Sequence, residues 1–313
     1  MSTICFYHSS DLDGHCSASI VRCSHPEAVL IPASYGVPFP WSKVRKGDAV
    51  FMVDFSLPVP EMLKLNNQCN LIWIDHHKCI IEAMDGARVA IKGRRVVGKA
   101  GCELTWEYLC PDKPMPRFIE LMGRYDVWDH SNPKRWEEEI LPFEYGMRRY
   151  DTDPRNNPNL WDNLFKGQVN LEKVKDDGMI ILGYQRQFAR RYMRAFAFET
   201  TFDSHRAIAV NAGATNSLFF EDLYNPSRHD IMIAYCCRRG QDWGVSLYSD
   251  KVDVAAIARK FGGAGHPGAA GFSCSDLPFS TLCCGDARGM GASSKGSGLE
   301  DPSLNDSGSE ISP

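Results

Sequence analysis

Aspartate and histidine side chains follow three short apolar segments of this chain, directly where each segment ends. They are His8, Asp11 and Asp13 in TICFYHSSDLDG, Asp54 at the end of AVFMVD, and Asp75, His76 and His77 in LIWIDHH. Clustered carboxylates raise one another's pKa, and burial raises it further, so such a cluster is costly without a counter-ion. A mixed Asp and His set suits Mn²⁺ or a similar cation better than Ca²⁺. The residue types therefore predict a divalent metal site, with enough ligands for two metals that clamp the attacking and leaving oxygens of a phosphoryl transfer.

The elements that must position these side chains are short strands. The pattern predicts strands at residues 3–8, 28–33, 49–54, 71–75 and 87–91. The segments between them are long enough for crossovers, and both strand faces are apolar, which is typical of a parallel sheet with helices on both sides. Because ligands of such sheets bind beyond the carboxyl ends of the strands, three strands are expected to deliver their polar side chains to one edge.

The remainder of the chain predicts helices followed by a second, smaller sheet. Helical patterns run from residue 101 to about residue 164, and a long helix is predicted over 170–198. The strand patterns HRAIAVN, IMIAYC and WGVSLYS, with the helix DVAAIARKF, favour a compact α+β domain. The predicted organisation is α/β, with a first domain at 1–165, a connecting helix at 166–200, a C-terminal domain at 201–277 and a disordered tail at 278–313.

Charge and cysteine content indicate which partners and which cellular location to expect. Residues 276–313 carry six acids and two bases, which accounts for the whole net charge of −4, so the rest of the chain is neutral. A neutral body lacks the basic surface that grips long nucleic acid, but it does not exclude a short substrate. The twelve cysteines include no C-x-x-C pair, and neither a signal peptide nor a membrane-spanning segment is evident. We therefore expect reduced thiols, no membrane partner and a cytoplasmic protein.

Four motifs carry a resemblance to a known family. HSSDLDG, VDFS and DHH, followed much later by GGAGHPGAAG, resemble the motifs of the DHH phosphoesterase superfamily, and the resemblance covers residue 1 to about residue 275. The glycine–histidine motif indicates the branch with a DHH-associated C-terminal domain that binds substrate. Within the superfamily the chain is most similar to the oligoribonucleases (nanoRNases), which degrade very short RNA from the 3′ end and release nucleoside monophosphates.

The resemblance implies two metal sites that share one ligand. The implied ligands are His8, Asp11 and Asp54 around one cation, and Asp13, Asp54, His76 and an aspartate of a fourth motif around the other. His77 would face the scissile phosphate, and Asp75 would orient its neighbours, as carboxylates beside ligating histidines commonly do. The cofactors implied are two divalent cations, with Mn²⁺ the first choice and Mg²⁺ or Co²⁺ the alternatives.

The fourth motif, RYDVWDH, offers two candidate ligands. Asp126 and Asp129 are three residues apart, so they lie on nearly the same face of a helix. The resemblance favours Asp126, because the family's ligand closes a helix at this point. Asp129 remains the alternative ligand, or else a cap or ion-pair residue.

The GGAGHPGAAG motif is expected to contact substrate. Gly262, Gly263 and Gly265 would let the backbone approach a ligand closely and expose N–H groups to an anion. His266 can donate a hydrogen bond to a phosphate oxygen. These four residues are the predicted substrate-binding set.

Two positions depart from the family's pattern. Tyr248 stands where many relatives carry an arginine, so Arg228, Arg238 or Arg239 is expected to neutralise phosphate charge instead. Gly101 and Cys102 stand where a serine is common, which leaves the substrate contacts of that segment unassigned.

The function predicted is that of a hydrolase, a Mn²⁺-dependent two-metal phosphodiesterase. Its substrates would be short oligoribonucleotides or linear dinucleotides such as pGpG or pApA, cleaved from the 3′ end. The alternatives are a phosphatase of 3′,5′-bisphosphorylated nucleosides, a cyclic-dinucleotide phosphodiesterase and, least favoured because the body is neutral, a single-strand exonuclease. A nucleotide-binding protein without catalysis is the interpretation from a different class. The sequence leaves the oligomeric state open and is compatible with a homodimer.

Overall fold

Four parallel strands form the first sheet. The computed structural model describes residues 1–240 and 242–280. The strands are β1 (Thr3–His8), β2 (Val29–Ala33), β3 (Ala49–Val53) and β4 (Asn70–Ile74), in the order β2-β1-β3-β4. Chain connections therefore leave the central pair β1 and β3 in opposite directions. Parallel α/β sheets bind ligands at such a switch point, beyond the carboxyl ends of the strands.

Helices cover both faces of this sheet. They are α1 (Leu12–Ser24) and α4 (Gly101–Leu109) on one face, and α2 (Val59–Gln68) and α3 (Lys78–Ala87) on the other. Successive strand residues point to opposite faces, so Phe6 packs with α2 and α3 whereas Tyr7 packs with α1 and α4. Burial on both faces explains why the strands read as continuous apolar runs. The predicted α/β architecture with a parallel N-terminal sheet is confirmed.

A helical segment joins the first sheet to the second. It contains α5 (Arg117–Asp126), α6 (Pro133–Arg135), a π-helical turn (Trp136–Ile140), α7 (Leu141–Met147), α8 (Pro158–Phe165) and α9 (Leu171–Phe196). α7 and α9 cross at a pair of glycines. A Cβ on Gly178 would lie 1.7 Å from the Pro142 carbonyl oxygen, and a Cβ on Gly146 would lie 1.9 Å from that of Val174. The absence of side chains at this crossing lets the two backbones touch, which fixes α7 against the first turns of α9.

The second sheet is mixed and has six strands. They are β5 (Phe198–Phe202), β6 (His205–Asn211), β7 (Ile231–Cys237), β8 (Trp243–Tyr248), β9 (Ala264–His266) and β10 (Ala269–Cys274), in the order β5-β6-β7-β8-β10-β9. A short 3₁₀ turn, Ser217–Phe220, follows β6, and α10 (Val254–Lys260) packs on one face of the sheet. β6 and β7 are parallel, and the other pairs are antiparallel.

The strand predicted over 87–91 is wrong. α3 continues to Ala87 and ends at Arg88, whose φ is 55°. The chain then meets β4 only through single-residue bridges, Ile72 with Lys92 and Asp75 with Arg95. Gly93 makes this approach close, since a Cβ there would lie 2.0 Å from the Trp73 carbonyl oxygen. Ile91 is buried in the core of the first sheet whereas Val89 is 41% exposed, and the segment forms no strand of its own.

The GGAGHPGAAG segment was expected to be a ligand-binding loop, but it forms the end of α10 and the β9–β10 hairpin. The N–H groups of Gly262 and Gly263 donate to the carbonyls of Arg259 and Ala258 at the end of α10. Gly265 pairs with Ala270 in the hairpin. The backbone donors of Gly262 and Gly263 are therefore used inside the protein and do not form the expected anion cradle.

The C-terminal tail predicted at 278–313 lies outside the described residues from residue 281 onward. Phe279 is described and is buried against Phe202 and Tyr235. Within residues 1–240 and 242–280 the cysteines are free thiols. No helix in that part of the chain is both long and apolar enough to span a bilayer.

Candidate metal centre

The first polar cluster lies at the turn between β1 and α1. Asp11 caps α1 by accepting a hydrogen bond from the Gly14 N–H at 3.0 Å. A Cβ on Gly14 would lie 1.9 Å from the His8 carbonyl oxygen, so only glycine fits this tight turn. The turn brings Nδ1 of His8 to 2.8 Å from Oδ2 of Asp11.

Asp54 follows β3 and connects this cluster to a second one. Its φ of 50° is left-handed, a conformation that aspartate and asparagine tolerate better than most residues. The buried carboxylate presents Oδ2 to Nδ1 of His8 at 3.7 Å and Oδ1 to Nε2 of His76 at 3.2 Å. One carboxylate thus faces a histidine on each side, which is the geometry expected of a bridging ligand.

The second cluster surrounds His76. Its Nε2 lies 3.4 Å from Oδ2 of Asp126 and 3.7 Å from Oδ2 of Asp13. Asp13 is held by the N-terminus of α4, because its two oxygens accept hydrogen bonds from the N–H groups of Gly101 at 2.7 Å and Cys102 at 2.6 Å. The segment that the sequence left unassigned therefore positions a predicted ligand.

The surroundings of Gly101 leave no room for a side chain at that position. A Cβ there would lie 2.7 Å from Cβ of Asp54 and 2.9 Å from Oδ2 of Asp13. Contacts below 3.0 Å between such atoms require one of them to move. A larger residue at position 101 would displace two of the candidate ligands together.

The structure separates the two aspartates of the fourth motif. Asp126 is the last residue of α5 and reaches His76. Asp129 instead accepts a hydrogen bond from the Ser131 N–H at 3.0 Å and lies 3.5 Å from Nη1 of Arg124. Only Asp126 of this pair is brought to the cluster.

Asp75 and His77 form a pair at the end of β4. Oδ1 of the fully buried Asp75 lies 2.6 Å from Nδ1 of His77 and also accepts the His76 N–H at 2.7 Å, while Oδ2 accepts the indole N–H of Trp73 at 3.1 Å. Burial lowers the pKa of His77, but pairing with Asp75 outweighs it and raises that pKa above its ordinary value. The carboxylate therefore holds a proton on Nδ1 and fixes the orientation of the ring.

Burial and mutual repulsion perturb the carboxylates of the centre. Burial, the Asp54 charge and the Asp126 charge raise the pKa of Asp13. Burial likewise raises the pKa of Asp126, to about 7. Burial alone would raise the pKa of Asp54, but His76 and His8 lower it below its ordinary value. The histidines of the cluster therefore do not fully offset the repulsion between its carboxylates.

These residues fit divalent cations. Both carboxylate oxygens of Asp54 and Oδ2 of Asp126 are buried without a hydrogen-bond partner among the described residues. Unpartnered buried carboxylate oxygens are rare and costly, and a cation removes the cost. The ligand atoms of two groups, His8 with Asp11 and Asp54, and Asp13 with His76 and Asp126, lie within 4.8 Å of one another in each group. Oxygen and imidazole ligands of this kind suit Mn²⁺, and carboxylates suit Mg²⁺.

His266 reaches the centre from the second sheet. Its ring is stacked on that of His77 with centroids 5.1 Å apart and lies 5.6 Å from that of His76. Enclosure of the ring, together with His77 and His76, lowers the pKa of His266 to about 4. The ring is therefore neutral near pH 7 and offers a hydrogen bond, not a charge, to a ligand between the two sheets.

The arginines that the sequence offered for phosphate binding contact other groups. Arg228 pairs with Glu199 at 2.6 Å, and Arg238 donates to the Ser273 hydroxyl at 3.0 Å. Tyr248, which stands where relatives carry an arginine, donates to the Thr215 carbonyl at 2.7 Å. The structure does not bring Arg228 or Arg238 to the centre.

Tyr35 is a neighbour of the centre that sequence reasoning missed. Its ring centroid lies 5.6 Å from that of His8 and 6.1 Å from that of His77, and the residue is 54% exposed. It follows the carboxyl end of β2, so the strand-end rule that located the ligands could have located this aromatic side chain as well.

Comparison with known proteins adds distant relatives. No family model matches the chain. It is 27% identical over 272 residues to uncharacterized protein R106 of Acanthamoeba polyphaga mimivirus, and 23% identical over 249 residues to oligoribonuclease NrnB of Bacillus subtilis. These matches cover 81% and 74% of this chain, respectively. The chain spans 61% of the length of each of these two relatives.

Two solved structures are similar over most of the chain. A pGpG-specific phosphodiesterase from Vibrio cholerae gives a TM-score of 0.48 at 14% identity, covering 87% of this chain and 93% of its own. An exopolyphosphatase-related protein from Bacteroides fragilis gives 0.47 at 14% identity, covering 88% and 87%. TM-scores below 0.5 support no inference about function. The similarity to NrnB agrees with the resemblance that the sequence motifs carry.

Proposed function

We propose that this protein is a metal-dependent phosphodiesterase that hydrolyses short oligoribonucleotides or linear dinucleotides from the 3′ end to nucleoside monophosphates. The observation that carries the proposal is the position of Asp54 between two groups of ligands, with one oxygen toward His8 and the other toward His76. A shared carboxylate between two sets of oxygen and imidazole ligands is the arrangement that two-metal phosphoryl-transfer sites require. The relative NrnB is an oligoribonuclease, which agrees with this class of substrate.

The fold holds the candidate ligands close together in the protein without substrate. Two cations held here supply Lewis-acid stabilisation of the entering and leaving oxygens of an in-line displacement. Asp54 fixes the spacing of the two ligand groups, and the N-terminus of α4 fixes Asp13. Because these side chains are buried and locked, they need little reorganisation during the reaction, which is the main source of electrostatic stabilisation in such sites.

The pair Asp75 and His77 would handle a proton. Asp75 keeps the proton of His77 on Nδ1, so Nε2 is the nitrogen that remains for exchange with substrate. In the proposed hydrolysis, water adds to phosphorus and the bond from phosphorus to the 3′-oxygen breaks. The 3′-oxygen leaves with a proton, and the products are a nucleoside 5′-monophosphate and a chain one nucleotide shorter.

The length preference would follow from enclosure by the second sheet. His266 lies against His77 across the mouth of the centre, and a long duplex finds no basic surface on the neutral body. Short single strands need fewer phosphate contacts, so they remain compatible with this charge. The proposed partners are therefore short RNA and linear dinucleotides.

A substrate panel tests this function. The purified protein is incubated with RNA of two to eight nucleotides, pGpG, pApA, a 3′,5′-bisphosphorylated nucleoside and a cyclic dinucleotide, each with Mn²⁺ and with Mg²⁺. We expect release of nucleoside monophosphates from the shortest linear substrates with Mn²⁺. Faster hydrolysis of the bisphosphate or of the cyclic dinucleotide would replace the proposal with that activity, and binding of the panel without hydrolysis would identify a non-catalytic nucleotide-binding protein.

A further inference from the structure

A cavity of about 710 Å³ opens beside the first cluster of ligands. Ser10 and Asp11 form its wall on the side of the centre, and Asp11 lies 2.8 Å from His8. Its other walls come from the end of α7, from the exposed side of α9 and from the loop after β6. Sites that enclose small organic ligands have volumes of about 300–1,000 Å³, so this cavity has room for a ligand of that class.

Two arginines line this cavity: Arg186 is paired with Glu137 and Glu221, and Arg148 stands over an aromatic ring. The guanidinium of Arg148 lies 4.2 Å from the ring centroid of Tyr145 and donates to the Tyr125 hydroxyl at 3.0 Å and to Glu144 at 3.3 Å. Glu144 is buried, and burial raises its pKa to about 7. The Glu144 carboxylate orients the guanidinium. The Arg148 side chain is still 38% exposed, so it can bind an anion.

Aromatic rings line the wall formed by α9. Tyr184 and Phe188 are one helical turn apart, line the cavity, and are 69% and 49% exposed. Neighbouring apolar side chains that are exposed on one face are typical of ligand-binding grooves and interaction surfaces. Every nucleobase has a π face, and stacking on Tyr, Phe or Trp is how proteins hold single-stranded nucleotides without regard to sequence.

The second half of the chain closes the cavity. Nδ2 of Asn216 lies 3.4 Å from the hydroxyls of both Tyr125 and Tyr145, and Tyr248 holds the loop of Asn216 by donating to the Thr215 carbonyl. The cavity therefore combines cationic side chains, exposed aromatic rings and a fixed amide, and it opens at Asp11 of the candidate metal centre. The residues that line the cavity include none of the glycine–histidine motif.

We propose that this cavity is a binding site for one nucleotide unit of the substrate, with the base stacked on Tyr184 and Phe188 and a phosphate against Arg148. Its volume of about 710 Å³ has room for a nucleotide unit adjacent to the centre. The assignment of the nucleotide as part of a substrate rests on the proposed phosphodiesterase function. The assignment of the cavity as a nucleotide site does not, and it is tested by binding alone.

Two matched pairs of variants test it. In the first, Tyr184→Ala is compared with Ile180→Ala, since Ile180 lies one turn earlier on α9, is 72% exposed and is outside the cavity wall. In the second, Arg148→Ala is compared with Arg149→Ala, since Arg149 is the next residue, is paired with Asp177 and is also outside the wall. Binding of AMP is measured by calorimetry without added metal, and KM is measured for pApA with Mn²⁺.

We expect Tyr184→Ala and Arg148→Ala each to weaken AMP binding by about tenfold or more, the usual effect of removing one stacking ring or one charged contact. KM for pApA should rise by a similar factor, while Ile180→Ala and Arg149→Ala match the wild type. Equal AMP affinity in all five proteins, or equal losses within either pair, would overturn the cavity as a nucleotide site. AMP binding that depends on Tyr184 and Arg148 but is accompanied by no hydrolysis of pApA would uphold the cavity and reject the proposed function.

Discussion

Oδ1 of Asp54 lies 3.2 Å from Nε2 of His76, at the meeting point of the two ligand clusters. The other oxygen of the same carboxylate faces His8 at 3.7 Å, and neither oxygen has a hydrogen-bond partner among the described residues. A single side chain therefore connects the end of β3 to ligands that come from β1 and from the end of β4. The consequences of removing its charge can be measured directly.

Asp54→Asn should abolish activity while leaving the fold intact. The amide keeps the shape of the side chain and tolerates the left-handed φ of 50°, but it supplies no charge to hold two cations. Wild-type protein should gain stability on adding Mn²⁺, by about 2.7 kcal/mol at a hundredfold excess over Kd. The variant should lose most of that gain in thermal melts while its circular dichroism without metal is unchanged. Normal turnover of Asp54→Asn at saturating Mn²⁺ would eliminate the two-metal mechanism.

Asp126→Asn and Asp129→Asn form a matched pair in the fourth motif. Asp126 lies 3.4 Å from His76, whereas Asp129 interacts with Ser131 and Arg124. We expect the first variant to lower bound Mn²⁺, measured by elemental analysis, and to lose activity. The second should retain its metal and lose only about 1 kcal/mol of stability, because the amide still accepts the Ser131 N–H and only the half-buried ion pair with Arg124 is lost. The reverse result would make Asp129 the ligand.

Gly101→Ala should damage the centre without changing any ligand itself. The new Cβ would lie 2.7 Å from Cβ of Asp54, and relieving that overlap moves the carboxylate. Overpacking of this kind costs about 1–3 kcal/mol, so both Tm and Mn²⁺ affinity should fall. Gly86→Ala near the end of α3 is the control, because nothing lies within 4 Å of the position that its new methyl group would take, and helix propensity favours alanine. Wild-type Mn²⁺ affinity in Gly101→Ala would contradict the close contact with Asp54.

His266→Ala separates substrate binding from chemistry. His266 reaches the centre from the second sheet, and its ring centroid lies 5.1 Å from that of His77. A hydrogen bond to a charged phosphate contributes about 1.5–3 kcal/mol, so kcat/KM should fall by roughly ten- to a hundredfold, mainly through KM. Metal content should equal that of the wild type. Loss of a cation from the variant would instead make His266 a ligand, and unchanged kinetics on every substrate would remove it from the site.

Truncation of the C-terminal tail depends on where the cut is made. A chain that ends after Ser280 keeps Phe279, which is buried against Phe202 and Tyr235, and should retain full kcat. A chain that ends after Leu277 loses that ring and should be less stable by about 3 kcal/mol, the cost of removing a buried phenylalanine. Urea unfolding of the two proteins measures the difference. A large fall in kcat for the longer truncated chain would give the tail a role in catalysis.

Most of the candidate ligands could be proposed from the sequence because they lie at or just after a strand end, whereas Asp126 closes a helix. His8, Asp54 and His76 come directly at or after apolar runs, and parallel strands present those ends at one edge. The strand order places β1 beside β3 and β3 beside β4, so the side chains at these three strand ends come into contact. The distinction between Asp126 and Asp129 needed the structure, because a shift of three residues on a helix changes direction only slightly.

The cavity beside the centre was not predictable in this way. Tyr125, Arg148, Tyr184 and Asn216 come from four distant segments, and no spacing in the sequence joins them. Their proximity depends on the glycine crossing of α7 and α9, which is a tertiary contact. The predicted strand at 87–91 failed for a related reason, since its apolar pattern did not reveal that the chain meets β4 only later, at Lys92 and Arg95.

Helix N-termini hold one carboxylate in each group of candidate ligands. Two backbone N–H groups of α4 share the negative charge of Asp13, and the Gly14 N–H of α1 does the same for Asp11. The two candidate metal positions would therefore differ mainly in Asp126, which lies beside His76 and has no counterpart beside His8. A cation at His76 would face three carboxylates, Asp13, Asp54 and Asp126, whereas a cation at His8 would face two.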